Sequence, residues 1–431
     1  MIKESQKPMF KGIAIAVLSL MLLITLPFIT SLIRERENFQ GEVTSEVTSK
    51  WGQEQTLYGP FILIEYKERS IDAEGKVLTH RTNYLQVPEK QVITGDIKTQ
   101  VKKRSLYEVA LYNTNLAVQA RFPTMDKIIE KLKVTDPADI ISTKLIFSIS
   151  DSKGFTEEIL INKVAGQAFE LDRDLGVNTN YNFLSYEFDK ETFNISEINF
   201  PIKLKGSTEI NFLASAKDTK VDIKPDYKDI KYVGNYLPDT DEKQTQAVSA
   251  KWTIFQPIPI NTSLDSLVTL DTYKFGMKFI QINDFYSKVN RATKYALLFI
   301  GLTFATFFFM ENLKNLSINI LHYTLVGLSL CINFVLLLSF AEYVGFSWAY
   351  IISASATVLL ITSFIYGLSK NLRIAASIFG LLAALYAFLF FLLQLKEAAL
   401  IVGSIGLFAV IAVLMYFSKR IKFGADKQVE I

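Results

Sequence analysis

Five polar residues lie inside or beside the long apolar stretches of this 431-residue chain, where any side-chain chemistry within a membrane would have to occur. They are Arg291, Lys294, Glu311, Asn333 and Glu342. Ionisable side chains are costly inside a bilayer, so those that are present commonly pair with one another or line an ion or substrate path. We therefore take these five as the candidate structural or functional residues.

Glu311 and Glu342 lie at opposite ends of the second and third predicted spans. Headgroup water can solvate a carboxylate there, so an interfacial or helix-packing role is one interpretation of each residue. Contact with an ion or a substrate is the other. Asn333 is the deepest strongly polar side chain, and its position predicts a hydrogen bond to another helix.

Arg291 and Lys294 are three residues apart at the start of an apolar run, so they share one helix face. Cations at a helix N-terminus are unfavourable with the macrodipole, so local helix stability does not explain them. Two explanations remain, contact with lipid phosphates or pairing with the carboxylates of Asp284, Glu35 or Glu37. Our hypothesis is that Arg291 pairs with Glu35 or Glu37.

The sequence contains no recognised catalytic motif. It has no HExxH, no GxSxG, no Walker A loop and no Rossmann glycine pattern. One cysteine and two histidines supply no zinc-type ligand cluster. We therefore predict no catalytic, cofactor-binding or metal site and expect that the protein is not an enzyme.

The composition is an average over two unlike parts. Half of the residues are hydrophobic and the mean hydropathy is +0.23, but residues 34–291 are polar while nearly everything after them is apolar. The polar part is close to neutral, as is the whole chain with a net charge of +3. A balanced charge argues against a nucleic-acid surface.

Six apolar runs predict a polytopic α-helical membrane protein. The first is too long for a cleaved signal peptide and is read as an uncleaved anchor, bent by Pro27. The other five form a C-terminal membrane domain, residues 292–418. The predicted spans are residues 12–33, 292–313, 320–341, 346–368, 374–395 and 398–418.

The charges around these runs predict the orientation. Lysines in residues 1–11, with Lys370, Arg373 and the tail at 419–431, place both termini in the cytoplasm. Residues 34–291 are then periplasmic, inserted between spans 1 and 2. Arg34 and Arg36 oppose the rule, but they flank a long translocated segment, where the rule has little force.

The predicted periplasmic domain is β-rich, with one or two subdomains. Residues 34–58 first continue the anchor as a helix with an apolar stripe, predicted to pack on this domain. Alternating β-branched and aromatic residues then predict one hairpin at 61–87 with Gly75 in its turn, and a second at 143–163. A short helix is expected at Met125–Lys133. Dense turn signals between short strands favour a sandwich.

Four stretches are similar to the CreD family of bacterial inner-membrane proteins. They are RATKYALLFIGLTFATFFFMENL, HYTLVGLSLCINFVLLLSFAEYVGFSWAYIIS, the early GPFILI, and YVGNYLP followed by AKW. The order of elements matches over nearly the whole chain. The resemblance implies an N-terminal helix, a large periplasmic domain, a C-terminal membrane block, and a role in envelope integrity or envelope-stress tolerance. It supplies no catalytic residue.

The expected function is that of a non-catalytic envelope protein. Its partners would be the lipid bilayer and, through the periplasmic domain, an envelope protein, a lipid or a glycan. A lipid or solute transporter is the alternative, although no predicted span carries a charge near its centre. A third alternative is an unfamiliar membrane-bound hydrolase.

Overall fold

The structure is a computed structural model that forms two compact units. The first contains Met1–Gly41 and Asn283–Ile431, and the second contains Glu42–Ile282. The structure describes residues 7–71, 77–134, 136–163, 166–172, 175, 182–188, 196–243, 248–255, 273–280, 285–314, 318–395 and 399–418.

The first unit is helical. Its helices are α1 (Lys7–Leu22), α2 (Thr25–Trp51, which continues into the second unit), α4 (Phe285–Lys294), α5 (Ala296–Lys314), α6 (Ile320–Ser369), α7 (Leu372–Gln394) and α8 (Ala399–Ser418). The short α3 (Met125–Leu132) belongs to the second unit and confirms the helix expected there.

The first apolar helix is interrupted between α1 and α2, where Leu23 and Ile24 leave the helical conformation. Pro27 has no N–H to donate to the carbonyl of Leu23, and its ring crowds that carbonyl. The N–H groups of Ile24 and Leu26 donate instead to the carbonyls three residues earlier, those of Met21 and Leu23. The predicted bend at Pro27 is thus confirmed, one turn before the proline.

The second apolar helix begins earlier than predicted and in two pieces. The prediction placed one helix at 292–313, whereas α4 already starts at Phe285 and is separated from α5 by a 44° bend at Tyr295. The reason is amphipathicity, since α4 buries Phe285, Val289 and Ala292 while its other face stays polar.

Helix α6 folds back on itself at Gly345. This glycine has φ 76° and ψ 165°, which no helix contains. Thr357 nevertheless hydrogen-bonds to Asn333, 24 residues away along the chain. In a straight helix these residues would lie roughly 36 Å apart. Residues 320–344 and 346–369 therefore form an antiparallel helical hairpin.

Length and composition identify three helical stretches among the described residues that could cross a membrane. They are Phe10–Trp51, Ile320–Ser369 and Leu372–Gln394, and a fourth is obtained if the bent α4–α5 pair counts as one span. The arrangement of six spans stays a prediction.

The second unit is a β-sandwich with fourteen strands in its described residues. They are β1 (Gln55–Ile71), β2 (Val77–Gln86), β3 (Lys90–Arg104), β4 (Tyr107–Arg121), β5 (Ile140–Ile149), β6 (Glu170–Leu171), β7 (Asn182–Glu187), β8 (Glu197–Ser207), β9 (Glu209–Leu213), β10 (Asp218–Pro225), β11 (Ile230–Gly234), β12 (Thr240–Lys243), β13 (Val248–Phe255) and β14 (Lys274–Phe279).

These strands form two sheets around a shared apolar core. The eight-stranded sheet has the order β11-β14-β9-β1-β5-β7-β6 with β2 on β1, and the six-stranded sheet has the order β12-β13-β10-β3-β4-β8. Ile64 and Phe212 from the first sheet and Tyr112 and Trp252 from the second belong to one buried cluster. The expected sandwich packing is therefore present.

One of the two predicted hairpins is wrong. Strands β1 and β2 pair from Ile62–Gln86 to Ile71–Val77, which confirms the first hairpin. Its turn, with Gly75, lies outside the described residues. The second is not a hairpin, because β5 pairs with β1 and β7 while the described residues after Ile149 form short helical turns.

The end of α2 packs on the sandwich, as its apolar stripe predicted. The ammonium groups of Lys102 and Lys205 lie over the Trp51 ring, 5.0 Å and 5.3 Å from its centroid. Arg104 donates to Glu46 over 3.3 Å. Val43, in the predicted stripe, is buried.

Candidate functional site

Glu311 lies at the centre of a buried polar cluster at one end of the helical unit. Its carboxylate accepts hydrogen bonds from Lys11 of α1, from the Tyr323 hydroxyl over 3.0 Å and from the Ile318 N–H over 3.4 Å. Lys11 also donates to the carbonyl of Ile318. We call Lys11, Glu311, Ile318 and Tyr323 the Glu311 cluster.

The start of α6 positions this cluster. Its first turn is closed by a hydrogen bond of 3.3 Å from the Asn319 N–H to Nδ1 of His322. This cap fixes Ile318 just before the helix and Tyr323 in its first turn. Phe304 and Phe307 of α5 hold the Tyr323 ring edge-on. The tyrosine hydroxyl is thereby directed at the Glu311 carboxylate, in the last turn of α5.

Glu342 forms a smaller cluster at the end of the first α6 segment, next to Gly345. The Tyr286 hydroxyl of α4 donates to its carboxylate over 3.1 Å. Nε of Arg36, from α2, lies 3.9 Å from the same oxygen. The glutamate side chain is only 9% exposed, whereas that of Arg36 is 49% exposed. We call Arg36, Tyr286 and Glu342 the Glu342 cluster.

Arg291 does not pair with Glu35 or Glu37, and that hypothesis is wrong. Its two terminal nitrogens donate to the carbonyls of Leu393 and Leu395, over 3.0 Å and 3.2 Å. These carbonyls end α7, where the last carbonyl groups of a helix have no partner of their own and carry partial negative charge. Arg291 therefore caps the C-terminus of α7.

The helix dipole favours Arg291 and Lys294, contrary to the expectation from the sequence. Both residues occupy the last turn of α4, not the first turn of a span. Cations are favourable at a helix C-terminus, by about 0.3–1 kcal/mol each. Lys294 is exposed. Local helix stability thus does explain their position.

Asn333 makes the interhelical contact that its depth predicted. It is buried, and its side-chain oxygen accepts a hydrogen bond of 3.2 Å from Thr357 in the other segment of the α6 hairpin. Burial removes water as a competing partner, which is why an amide there requires a protein partner.

The sequence reasoning missed the partners of the two glutamates. Lys11, Arg36, Tyr286 and Tyr323 were not among the candidate residues. A signal was available for Lys11, because the positive-inside reading places it on the same side as the end of the second span. No local pattern in the sequence distinguishes the two tyrosines.

The outer face of the six-stranded sheet contains an open groove of about 460 Å³. Gln119, Asn199 and Asn162 contribute amides to its lining, with Arg121 and Glu197 3.2 Å apart beside them. Strand register sets the spacing, since Gln119 of β4 lies opposite Asn199 of β8. Such a surface offers many hydrogen-bond donors and acceptors to a polar ligand.

Perturbed ionisable groups in the sandwich are explained by structural pairs or by burial. The hydrogen bond from Lys144 to Asp172 raises the pKa of the Lys144 ammonium, and the one from Arg69 to Asp139 raises the pKa of that guanidinium. Burial raises the pKa of Tyr112. No group of three or more histidine, cysteine or carboxylate residues able to hold a metal occurs in the described part of the chain.

Comparison with known proteins gives a match that extends through both units. The family described as Inner membrane protein CreD matches residues 7–424. The Inner membrane protein CreD of Escherichia coli (strain K12) is 24% identical over 421 residues, which cover 94% of this chain and 91% of that protein. The resemblance noted in the sequence is therefore confirmed, and the chain belongs to the CreD family of inner membrane proteins.

Proposed function

We propose that this protein crosses the inner membrane six times and uses a periplasmic β-sandwich to bind a polar component of the cell envelope, without catalysis. The sandwich would lie between spans 1 and 2, with both termini in the cytoplasm. Such a protein would support envelope integrity or tolerance of envelope stress.

Two observations support the arrangement of six spans. The hairpin at Gly345 makes α6 two antiparallel segments. Six crossings would then come from α1–α2, α4–α5, the two α6 segments, α7 and α8. In addition, the helical rise from Lys11 to Arg36 is roughly 37 Å. This is slightly more than the hydrocarbon thickness of about 30 Å, so the two charged residues would reach the two boundaries.

The groove on the six-stranded sheet is the observation that carries the binding proposal. Its amides and its arginine–glutamate pair can bond to hydroxyl, amide or carboxylate groups. With Lys90 also in the lining, its charged side chains sum to +1, a weak attraction for a polyanion. This lining fits an envelope glycan better than a lipid chain, which would require an apolar pocket.

Photocrosslinking in cells tests the proposal. A photoreactive residue at Gln119 or Asn199 of the full-length chain should capture an envelope glycan. The same residue at Asn113 serves as the control, because Asn113 is exposed on β4 at the same sheet face, away from the groove lining. Equal capture at all three positions, or none at any, would rule out the groove as the site. Recovery of lipid alone would favour passage of lipid instead.

A variant separates binding from folding. Gln119→Ala with Asn199→Ala removes exposed amides from the groove and no buried residue. We expect unchanged abundance and reduced survival under envelope stress, measured beside an Asn113→Ala strain. Normal survival of the groove variant would contradict a role of the groove in protection.

A further inference from the structure

Two cross-strand rows of side chains line the groove on the six-stranded sheet. Strand register places three charged residues side by side in the first row, which we call the charged row: Lys90 of β3, Arg121 of β4 and Glu197 of β8. The second row, two residues away along each strand, is the amide row: Val92, Gln119 and Asn199. Residues two apart in a strand point to the same face of the sheet. A ligand in the groove therefore contacts both rows.

The charged row places two cations next to each other. Lys90 and Arg121 are directly opposite on antiparallel strands, an arrangement of like charges that destabilises a sheet. Glu197 pairs with Arg121 on its other side over 3.2 Å, but the two side chains are 69% and 61% exposed. Solvent screens such a pair, so it leaves the guanidinium open to exchange with another carboxylate. Folding stability thus does not explain the two adjacent cations.

Lys90 is the unmatched charge of this row. Asp218 of β10 is its neighbour in register on the side away from Arg121, but Asp218 lies outside the groove lining. Among the residues that the structure describes, no carboxylate forms an ion pair with Lys90. Its ammonium is exposed and has three hydrogen-bond donors. An acceptor from a ligand can therefore bind it without displacing a protein partner.

Asn162 adds a donor beside the amide row. Its side-chain oxygen accepts a hydrogen bond of 2.9 Å from the Asn199 N–H at the edge of β8. Because this bond requires the amide oxygen, the amide nitrogen keeps its two N–H groups for other acceptors. The backbone of Asn162 has φ 52°, a left-handed conformation that asparagine adopts more readily than most residues. The donor is thus held in place before a ligand binds.

We infer that the charged row binds a carboxylate of an acidic envelope glycan, with Lys90 and Arg121 as its ion-pair partners. The amide row and Asn162 bind hydroxyl and acetamido groups of the same sugar chain. The inference rests on the proposed function, since it assigns a ligand class to the same groove. Neighbouring strands are about 4.8 Å apart, so both cations can reach one carboxylate. A carboxylate only accepts hydrogen bonds, which matches the excess of donors.

Calorimetric titration of the full-length chain in lipid nanodiscs tests the inference. One probe is an oligosaccharide of N-acetylglucosamine and N-acetylmuramic acid, and another is an oligosaccharide of N-acetylglucosamine and glucuronic acid. Each is compared with its carboxyl-reduced form, in which the carboxylates are alcohols. We expect an acidic form to bind about tenfold more tightly than its reduced form, because hydrogen bonds to a charged group are the stronger ones. The difference should shrink as salt is added.

The outcomes separate this inference from the proposed function. Equal affinity for acidic and reduced forms would overturn the carboxylate and leave the glycan proposal in place, whereas no binding of any probe would overturn both. The acidic form that binds more tightly identifies the sugar that carries the carboxylate. A sugar-free peptide with a C-terminal carboxylate that binds as tightly would overturn the assignment to a glycan.

Variants test the charged row itself. Lys90→Gln should weaken binding of the acidic form about fivefold and leave the reduced form unchanged. Lys98→Gln is the matched control, because Lys98 is exposed on the same strand and face but outside the groove lining, and should change neither. Glu197→Gln should strengthen binding of the acidic form, since it removes a competing carboxylate. Weaker binding in Glu197→Gln, or an equal loss for both forms in Lys90→Gln, would overturn the inference.

A last variant tests the separate role of Asn162. Asn162→Gly keeps the left-handed backbone conformation and removes the amide. It should weaken binding of the acidic and reduced forms by the same factor, because the amide contacts neutral groups that both forms share. A loss confined to the acidic form would contradict the division of the groove into a charged row and an amide row.

Discussion

At the scale of residues, each buried glutamate of the helical unit carries a charge that an apolar environment penalises. A tyrosine hydroxyl and a cation from the first helix offset that penalty in both clusters. Glu311 and Glu342 therefore function first as attachment points between helices. Of the two alternatives that the sequence left open, the geometry supports the helix-packing interpretation.

Removal of both partners from the Glu311 cluster should cost less than the sum of the two single removals. Lys11→Met or Glu311→Gln alone leaves a buried group unsatisfied, at a cost of roughly 1–3 kcal/mol. We expect each single variant to lower the thermal midpoint of the detergent-solubilised chain and the double variant to lose less than the sum. Strictly additive losses would show that the two side chains do not interact.

Replacement of Arg291 should separate the roles of charge and geometry. The arginine reaches two carbonyls with two nitrogens. A lysine keeps the charge near the end of α7 but has a single ammonium in place of the planar fork. We expect Arg291→Ala to destabilise the solubilised chain most, Arg291→Lys to fall between it and wild type, and Lys294→Ala to have little effect. A lysine variant as stable as wild type would show that charge alone is needed.

At the scale of elements, one glycine decides whether α6 is a helix of 50 residues or a hairpin of two. The φ of 76° and ψ of 165° at Gly345 lie in a region that is essentially restricted to glycine. The flanking sequence is apolar and helix-compatible on both sides, so only Glu342 and Gly345 mark the turn. The predicted boundary between 341 and 346 nevertheless falls at the correct place, because Glu342 and Gly345 interrupt the apolar run.

Gly345→Ala should therefore destabilise the chain by about 1–3 kcal/mol, since alanine adopts that backbone conformation only with strain. Gly367→Ala is the matched control, because an added Cβ there meets nothing within 4 Å and the residue is helical. The control should be neutral or slightly stabilising. Thermal unfolding in detergent measures both variants, and equal midpoints would contradict the importance of the Gly345 turn.

At the scale of the whole molecule, the chain combines a helical unit with a β-sandwich that is inserted after its first helix. The sandwich closes on its own core, to which both sheets contribute. It therefore does not need membrane helices to bury its apolar residues.

Reporter fusions test the proposed orientation. A reporter that is active only in the periplasm should work when fused within residues 60–280 or near Gly345. It should fail when fused near Asn371 or after Lys427, since these positions would be cytoplasmic. Activity at Asn371 would contradict the arrangement of six spans, whatever the sandwich binds.

The sequence by itself determined the features that depend on neighbouring residues. The apolar runs, the break before Pro27, α3 and the β1–β2 hairpin all follow from local periodicity, proline geometry or turn signals. Asn333 was also predictable, because a buried amide requires a partner wherever it lies.

Only the tertiary structure decided the features that depend on distant residues. Arg291 donates hydrogen bonds to carbonyls at the end of α7 because packing brings that helix end beside α4. Strand β5 pairs with β1 and β7 and not with the segment that follows it, since the sheet offers a longer and more buried ladder. Partner choice across a hundred residues is a question of packing, and no local pattern encodes it.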